Sequence, residues 1–297
     1  MTPREQGFLL LTSQLGNPDR KPLTVAQLRS LETRVRAMEA PSEDRDVTVR
    51  DLLALGYSRE SAHRILQLLS QRQELEYYLR KARLAGCEPL TRVSAGYPGT
   101  VRSRLGQDSP GCLWAKGDRS LLDTPCVALV GSRDLHAANR QFAKEAGRQA
   151  ALQGYTLVSG NARGADRTAQ EACLEAGGQV IVVVADRLES HTTKENVLYL
   201  SEDSFDAAFS TQRALSRNRV IHCIGSKTFV AQCSLGRGGT WDGTVKNLHF
   251  GWSGVFCFHD GSEASRQLEQ LGANLIEMEA LGNYKLLGSK YLNIFDQ

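Results

Sequence analysis

Several features are scarce or missing in this sequence, and each absence narrows what the chain can be. No run approaches the ~20 apolar residues of a membrane-spanning helix, so we expect a soluble, cytoplasmic protein without a membrane partner. The seven cysteines include no C-x-x-C pair and mostly lie in apolar runs, which favours buried reduced thiols over disulfides or zinc. A net charge of +3 is too small to indicate a partner.

Motifs for common catalytic and cofactor sites are also missing. Neither G-x-G-x-x-G nor G-x-x-x-x-G-K-[ST] occurs, so the dinucleotide and P-loop interpretations lack their motif. No Ser-His-Asp or Cys-His set can be assembled, and no metal-ligand spacing is present. We therefore predict a non-catalytic protein with no cofactor and no metal.

Length and hydrophobic content predict more than one domain. The 297 residues are 41% hydrophobic, which is enough to bury a sizeable core. Capping-box spacing at Thr24, a capping sequence that starts at Thr48 and a helical pattern after Ser58 predict helices near the N-terminus, with a polar break at 41–46. The predicted segments are a small helical domain (of the SAM or helix-hairpin-helix type) at 1–85, a connecting segment at 86–125 with an edge strand within 109–118, a sheet domain at 126–280 and an unassigned C-terminal tail at 281–297.

Strands and helices alternate in the sheet domain. Val180–Val184 is entirely β-branched, as expected for a strand buried on both faces. The alternation predicts an α/β fold with a doubly wound, mostly parallel sheet. Predicted strands are 126–130, 155–158, 180–184, 228–231, 255–258 and 274–276, and predicted helices include 137–153, 205–223 and 262–271.

Three loops follow predicted strands and share small, hydroxyl-bearing and arginine residues. They span 131–134, 159–166 and 235–240. Loops after parallel strands meet at the carboxyl edge of the sheet, where helix N-termini favour an anion such as phosphate. Hydroxyls of Ser132, Ser159 and Thr240 can donate hydrogen bonds there, and Arg133 and Arg163 can each grip a phosphate in bidentate fashion.

A second cluster of cations lies within 211–221. Arg213 and Arg217 are four residues apart and are expected to share a helix face, followed by Asn218 and Arg219. The segment has no interleaved acidic residues to form salt bridges. Such a cluster is what a phosphate backbone requires.

The motifs resemble those of the DNA-processing protein A (DprA/Smf) family. They stand here as Val130-Gly131-Ser132-Arg133, Ser159-Gly160-Asn161-Ala162-Arg163-Gly164-Ala165-Asp166 and Arg217-Asn218-Arg219-Val220-Ile221. The resemblance implies an extended Rossmann-like fold that binds single-stranded DNA without cutting it. It also implies transfer of the strand to the RecA recombinase and a homodimer formed through the sheet domain.

The chain departs from the family pattern in three places. Residues 185–191 replace a Gly-rich turn with Tyr-Pro, 236–243 replace a late Ser-Gly loop, and the C-terminal winged helix of many members is missing. We expect a divergent member, acting in natural transformation and recombination or as a paralogue in phage defence.

The site residues come from two sources. The resemblance implies a phosphate pocket of Gly131, Ser132, Arg133, Ser159, Gly160, Arg163, Gly164, Arg217 and Arg219. The residue pattern adds Asn161, Asp166, Arg213, Asn218, Gly238, Gly239 and Thr240 to the DNA-binding set. Asp166 is expected to cap the following helix or to orient Arg163, rather than to act as a base.

Two alternatives stay open. The pocket can instead hold a small nucleotide-derived signal, which makes the protein a sensing module. Gly238-Gly239-Thr240 also resembles the loop of the LOG nucleoside-monophosphate phosphoribohydrolases, but their catalytic glutamate falls at Gly243, beside Asp242. Binding of a strand by stacking needs exposed aromatic side chains. The candidates are Trp241, His249, Phe250 and Trp252.

Overall fold

A computed structural model describes residues 1–37, 46–202 and 204–288. Most of the predicted polar break at 41–46, and residues 289–297 of the predicted tail, lie outside these ranges. Thr24 forms the predicted capping box, and Thr48 caps its helix as predicted, in this structure also through a capping box. The first helix, which the sequence analysis did not predict, also begins with such a box, at Thr2. The N-terminal helices are α1 Pro3–Thr12, α2 Val25–Arg36, α3 Val49–Ala54, α4 Arg59–Ser70 and α5 Arg72–Leu84.

Nine strands of the described ranges form one mixed sheet. They are β1 Glu88–Thr91, β2 Cys112–Gly117, β3 Cys126–Val130, β4 Thr156–Ser159, β5 Val180–Val184, β6 Val197–Glu202, β7 Lys227–Val230, β8 Gly254–Phe258 and β9 Asn274–Ile276. The helices among them are α6 Gly99–Leu105, α7 Ala137–Leu152, α8 Ala165–Glu175, α9 Thr211–Ser216, α10 Asn218–Ile224, α11 Gly239–Phe250 and α12 Glu263–Gln270.

The strand order is β1-β2-β6-β5-β4-β3-β7-β8-β9. From β6 to β9 all neighbours are parallel, whereas β2 pairs antiparallel with both β1 and β6. The chain runs from β3 to β4 on one side and later returns to β7 on the other side of β3. This reversal makes the carboxyl end of β3 the switch point at which open α/β sheets bind ligands.

Three predictions about the elements were wrong. The strand within 109–118 is not at the edge of the sheet, because β1 covers its outer side. Residues 197–202, to which the sequence analysis assigned no strand, form β6, which is held by pairing with β5 and β2. The helix expected at 205–223 begins only at Thr211, where Ser210 caps it, and is divided at Arg217 into α9 and α10.

Both faces of the central strands are buried. In β3, Val127 and Leu129 face a core shared with α7 and α8, while Ala128 and Val130 face a second core shared with α10. Side chains alternate between the two faces of a strand, so a continuous apolar run fills both cores. All seven cysteines are free and six are buried, as their apolar surroundings predicted.

The N-terminal helices contribute to two cores. Leu9 of α1 and Tyr78 of α5 pack in the core on one face of the sheet, whereas Leu52, Ala62 and Ile65 form a smaller core among the helices. Whether residues 1–85 are a separate domain stays a prediction. None of the helices within the described ranges combines the length and apolar character that crossing a bilayer requires.

The first part of the predicted tail is packed rather than free. Tyr284 is fully buried, and its hydroxyl donates a hydrogen bond of 2.7 Å to the carbonyl oxygen of Ala146 on α7. Its ring lies 4.7 Å from that of Phe229 on β7. Residues up to 288 therefore help to cover the face of the sheet under α7.

Candidate functional site

The three predicted loops meet at the carboxyl edge of β4, β3 and β7. The Thr240 hydroxyl donates a hydrogen bond of 3.0 Å to the Gly131 carbonyl, which joins the third loop to the first. The Ala165 N–H donates to the Ser132 carbonyl at 3.1 Å, which joins the second loop to the first. The prediction that these loops share one edge is confirmed.

Two glycines of the second loop allow its backbone to lie close to the neighbouring groups of the site. Gly164 has φ +86°, which favours glycine, and a Cβ there would overlap the Ser132 and Arg133 carbonyl oxygens. A Cβ on Gly160 would overlap the guanidinium of Arg217. The second loop therefore packs directly on the first loop and on Arg217.

Arg217 is the central cation of the site. It lies at the junction of α9 and α10 and is 8% exposed. Among the described residues its Nε has no hydrogen-bond partner. Burial lowers the pKa of the guanidinium, and the carboxylates of Asp166, Glu202 and Asp186 act against that shift. Because an arginine stays protonated near neutral pH, the site contains a buried positive charge with an unused donor.

Asp166 holds the second loop. Its carboxylate is buried and accepts a hydrogen bond of 3.2 Å from the Ala162 N–H. Burial raises the pKa of this carboxyl, while Arg217 and the backbone N–H groups of Ala162 and Gly160 act in the opposite direction. Asp166 was expected to cap α8 or to orient Arg163. The N-cap of α8 is Gly164, without a side-chain cap, and Arg163 pairs with Asp134 at 2.7 Å, so Asp166 has neither of these contacts.

Arg133 and Arg163 differ from Arg217 in being exposed. Within the described part of the chain Arg133 makes no hydrogen bond or ion pair, and the pair of Arg163 with Asp134 is a surface one. Surface ion pairs contribute little, about 0–1 kcal/mol. Both guanidinium groups can therefore bind a ligand with little loss of free energy from contacts within the protein.

A pocket of about 320 Å³ lies between the three arginines and the ends of β4 and β5. This volume is near the lower limit for small-molecule sites, about 300–1,000 Å³. Besides the arginines, the polar or aromatic side chains that line it are Asn161, Asp186 and Phe209. Its wall changes from cationic near β3 and β4 to acidic and aromatic near β5.

Phe209 is a lining residue that the sequence analysis missed. Its ring is 58% exposed, although it stood inside the predicted helix 205–223. The segment that carries it is anchored by Asp206, which accepts hydrogen bonds from Tyr78 at 2.9 Å and Lys81 at 2.8 Å on α5. The sequence signal that could have kept it out of the predicted helix is Ser210, which caps α9 and leaves Phe209 in the preceding loop.

The predicted aromatic cluster lies elsewhere. Phe250 is exposed and stacks on the buried Trp252, with ring centroids 5.5 Å apart. Trp241 packs against the core at the side of α10. Phe250 ends α11, whose twelve residues extend about 18 Å from the third loop. These rings are not part of the pocket.

Arg213 and Arg219 bind other parts of the protein. The Arg213 guanidinium donates to acceptors at the ends of β5 and β6, including the Ala207 carbonyl at 2.7 Å and the Ser201 hydroxyl at 2.8 Å. Arg219 pairs with Glu202 at 3.3 Å and donates to the Asp108 carbonyl at 2.7 Å. The segment has no interleaved acidic residues, as stated, but the inference that its arginines have no ion-pair partner was wrong for Arg219, because Glu202 comes from β6.

The remaining predicted residues support the loops from within. Ser159 is buried and accepts a hydrogen bond of 2.6 Å from Gln170, and the Ser132 hydroxyl donates to the Gln232 carbonyl at 3.2 Å. Asn218 donates to the Gly239 carbonyl at 2.9 Å, and Gly238 precedes α11 with φ +87°. No group of three or more His, Cys, Asp or Glu side chains in the described ranges is placed to hold a metal ion.

Fold and pocket together define a Rossmann-like protein with an arginine-lined pocket at the carboxyl ends of β3, β4 and β5, beside the switch point of its sheet. The profile of the family called DNA recombination-mediator protein A matches residues 88–252, more than half of the chain. The chain belongs to this family, and the predicted resemblance is confirmed.

Curated relatives align over part of their length. The chain is 28% identical to DNA processing protein DprA of Bacillus subtilis over 171 residues, which are 54% of this chain and 57% of that protein. It is 27% identical to protein Smf of Escherichia coli over 142 residues, 44% of this chain and 38% of that protein. These alignments span less than two thirds of either relative.

Solved structures confirm the predicted fold class. DprA from Streptococcus pneumoniae has a TM-score of 0.69 at 23% identity, covering 94% of this chain and 96% of that one. DNA processing protein A from Helicobacter pylori, solved to study its single-stranded DNA binding mode, has a TM-score of 0.57 at 24% identity, covering 67% of this chain and 95% of that one. At these identities the likeness concerns the fold alone.

Proposed function

We propose that this protein binds single-stranded DNA without cutting it, through the phosphate backbone at the arginine-lined pocket. The observation that carries the proposal is Arg217, a buried cation that lines the pocket together with the exposed Arg133 and Arg163. A buried charge is stabilised by an opposite charge and full hydrogen bonding, both of which a phosphate supplies. Family membership and the binding mode named for the Helicobacter pylori protein support the same ligand.

Arg133 and Arg163 extend the phosphate site toward solvent. Both line the pocket and are exposed, so a strand can pass over them while one phosphate reaches Arg217. Asp134 competes for Arg163 in the free protein, and a phosphate replaces that weak surface pair. Salt-dependent affinity follows, because each neutralised phosphate releases counterions.

Phe209 supplies the contact to a base. Its exposed ring borders the same pocket as the arginines. Aromatic stacking tolerates any base and contributes about 1–3 kcal/mol per base. A site that binds a phosphate through arginines and stacks an aromatic ring on a base favours a single strand, because the bases of a duplex are already stacked on each other.

A nucleotide-derived ligand is the second candidate, and the pocket volume of about 320 Å³ favours it. The phosphoribohydrolase alternative has less support. Gly243, where the catalytic glutamate would stand, faces into the protein against His222 and Asn218, and Asp242 lies on the exposed side of α11. We therefore propose a binding protein rather than an enzyme.

The wider role is proposed from the family. The family description, recombination mediator, supports transfer of the bound strand to RecA, in natural transformation or in a defence-associated paralogue. We also propose a homodimer formed through the sheet domain, acting in the cytoplasm. Faster assembly of RecA on the strand would support the transfer to RecA. A mass of two chains in analytical sedimentation would support the homodimer.

Fluorescence anisotropy of labelled oligothymidine, with the matching duplex as control, tests the function. Tight, salt-sensitive binding to the single strand and weak binding to the duplex are expected. Equal affinity for both would contradict the proposed preference. No binding to either, with a thermal shift caused by a mononucleotide, would favour the sensing module instead.

A further inference from the structure

Asp186 is a carboxylate in a pocket otherwise suited to phosphate. It follows β5, and its side chain is 43% exposed. Its Oδ1 lies 2.8 Å from His191 Nε2, and the His191 ring stacks on Tyr199 with centroids 4.9 Å apart. In the described part of the chain its Oδ2 has no hydrogen-bond partner. One oxygen is therefore fixed in place while the other can accept a hydrogen bond from a ligand.

The position of Asp186 along the sheet edge determines which part of a nucleotide reaches it. Arg133 follows β3, Arg163 follows β4 and Asp186 follows β5. Neighbouring strands lie about 4.8 Å apart, so Arg133 after β3 and Asp186 after β5 are separated by about 10 Å. Arg217 lies between these ends, close enough to Asp186 for the carboxylate to act on its pKa. A phosphate is attracted to the arginine end and repelled by the carboxylate. The base therefore lies toward Asp186 and Phe209.

The chemistry of a DNA strand limits which of its groups can donate a hydrogen bond to the Asp186 carboxylate. Within a strand the phosphates are anionic and the deoxyribose oxygens are esterified or in the ring, so only the bases carry N–H donors. Cytosine presents an N4 amino group, and in other protein–DNA contacts a carboxylate accepts a hydrogen bond from this group. Uracil presents a carbonyl oxygen at that position, which a carboxylate repels.

We propose that Asp186 is a specificity-determining residue that accepts a hydrogen bond from the exocyclic amino group of a base, as in cytosine. The inference rests on the proposed function and adds a base preference to it. Asp186 lies within 185–191, the segment in which this chain departs from the family pattern, so the preference belongs to this chain.

Binding of oligodeoxycytidine and oligodeoxyuridine tests the proposal. The two bases differ at position 4, an amino group in cytosine and a carbonyl oxygen in uracil, and at N3, an acceptor in cytosine and an N–H donor in uracil. The unmodified protein is expected to bind the cytidine strand about tenfold more tightly, the effect of one hydrogen bond to a charged group. In Asp186→Ala the two affinities converge. Glu175→Ala, an exposed acidic residue at the end of α8, removes the same charge outside the pocket and keeps the preference.

The outcomes separate this inference from the function on which it rests. Equal binding of both strands by the unmodified protein would overturn the role of Asp186 and leave single-strand binding intact. An equal rise in both affinities in Asp186→Ala would also overturn it, because Asp186 then acts only as a repelling charge. If dCMP binds more tightly than dUMP and neither strand binds, the amino-group contact is supported and strand binding fails. Thermal unfolding of each variant checks that it folds.

Discussion

The guanidinium of Arg217 lies against the backbone of Gly160 in the space that a Cβ would occupy. Arg217 lies between α9 and α10, and Gly160 follows β4, so two segments far apart in the chain build the cationic end of the pocket. The buried charge can take this position because residue 160 has no side chain.

Gly160→Ala is predicted to displace Arg217 and lower the affinity for a single strand by about tenfold, the effect of one charge-assisted hydrogen bond. The free energy of unfolding is expected to fall by less than the free energy of binding, because the added Cβ displaces only the far end of the flexible Arg217 side chain. Gly99→Ala, where a Cβ meets open space in α6, is the control and keeps the affinity. Equal affinities for the two variants would contradict the placement of Arg217 in the binding site.

Phe209→Ala is predicted to weaken strand binding by about 1–3 kcal/mol, which is the contribution of one stacked base. The salt dependence of binding stays unchanged, because no charge is removed. Phe250→Ala removes an equally exposed ring at the far end of α11 and is predicted to have no effect. Anisotropy titrations at two salt concentrations measure both quantities. A larger loss in Phe250→Ala than in Phe209→Ala would show that the strand lies elsewhere.

The sequence predicted the elements whose pattern is local. Val180–Val184 forms the predicted strand, and the helix expected at 137–153 ends one residue early, at Leu152. It missed β6, which is held by pairing with β5 and with the antiparallel β2. Its first four residues, 197–200, are an apolar run, but a short apolar run alone does not distinguish a strand from a segment of buried helix.

The same distinction applies to the candidate site. The motifs predicted which loops meet, because strand ends follow from the hydrophobic pattern. They could not predict that Arg219 pairs with Glu202 or that Phe209 faces the pocket, since both depend on how β6 and the following segment are placed. Ser210, which caps α9 through a hydrogen bond of 3.1 Å from Arg213 N–H, is the local signal that was overlooked.

His222 is predicted to make the protein less stable as pH falls. It lies on α10 with its ring fully buried against α11, Nε2 has no partner among the described residues, and burial lowers its pKa to about 3. The unfolded chain takes up a proton near the usual pKa of about 6.5, while the folded chain does not. The free energy of unfolding therefore falls as pH drops below about 6.5 and continues to fall until the folded pKa.

Chemical denaturation from about pH 8 to about pH 4.5 measures this dependence, in a range where most carboxylates stay ionised. His222→Gln removes the titrating ring and is predicted to give a flatter curve, even if its stability at high pH is lower. His249→Gln, an exposed histidine on α11, is the control and keeps the slope. Parallel curves for His222→Gln and the unmodified protein would rule out this contribution.

The central claim is that Arg217 binds a phosphate of a single strand, and the salt dependence of binding tests it most directly. We expect Arg217→Ala to lower the affinity by at least about tenfold and to reduce the slope of log K against log salt by about 0.7, the value for one phosphate of a single strand. Arg163→Ala is expected to change both in the same direction but less. Arg83→Ala, an exposed arginine at the end of α5, controls for overall charge. Unchanged affinity and slope in Arg217→Ala would contradict the assignment of this pocket.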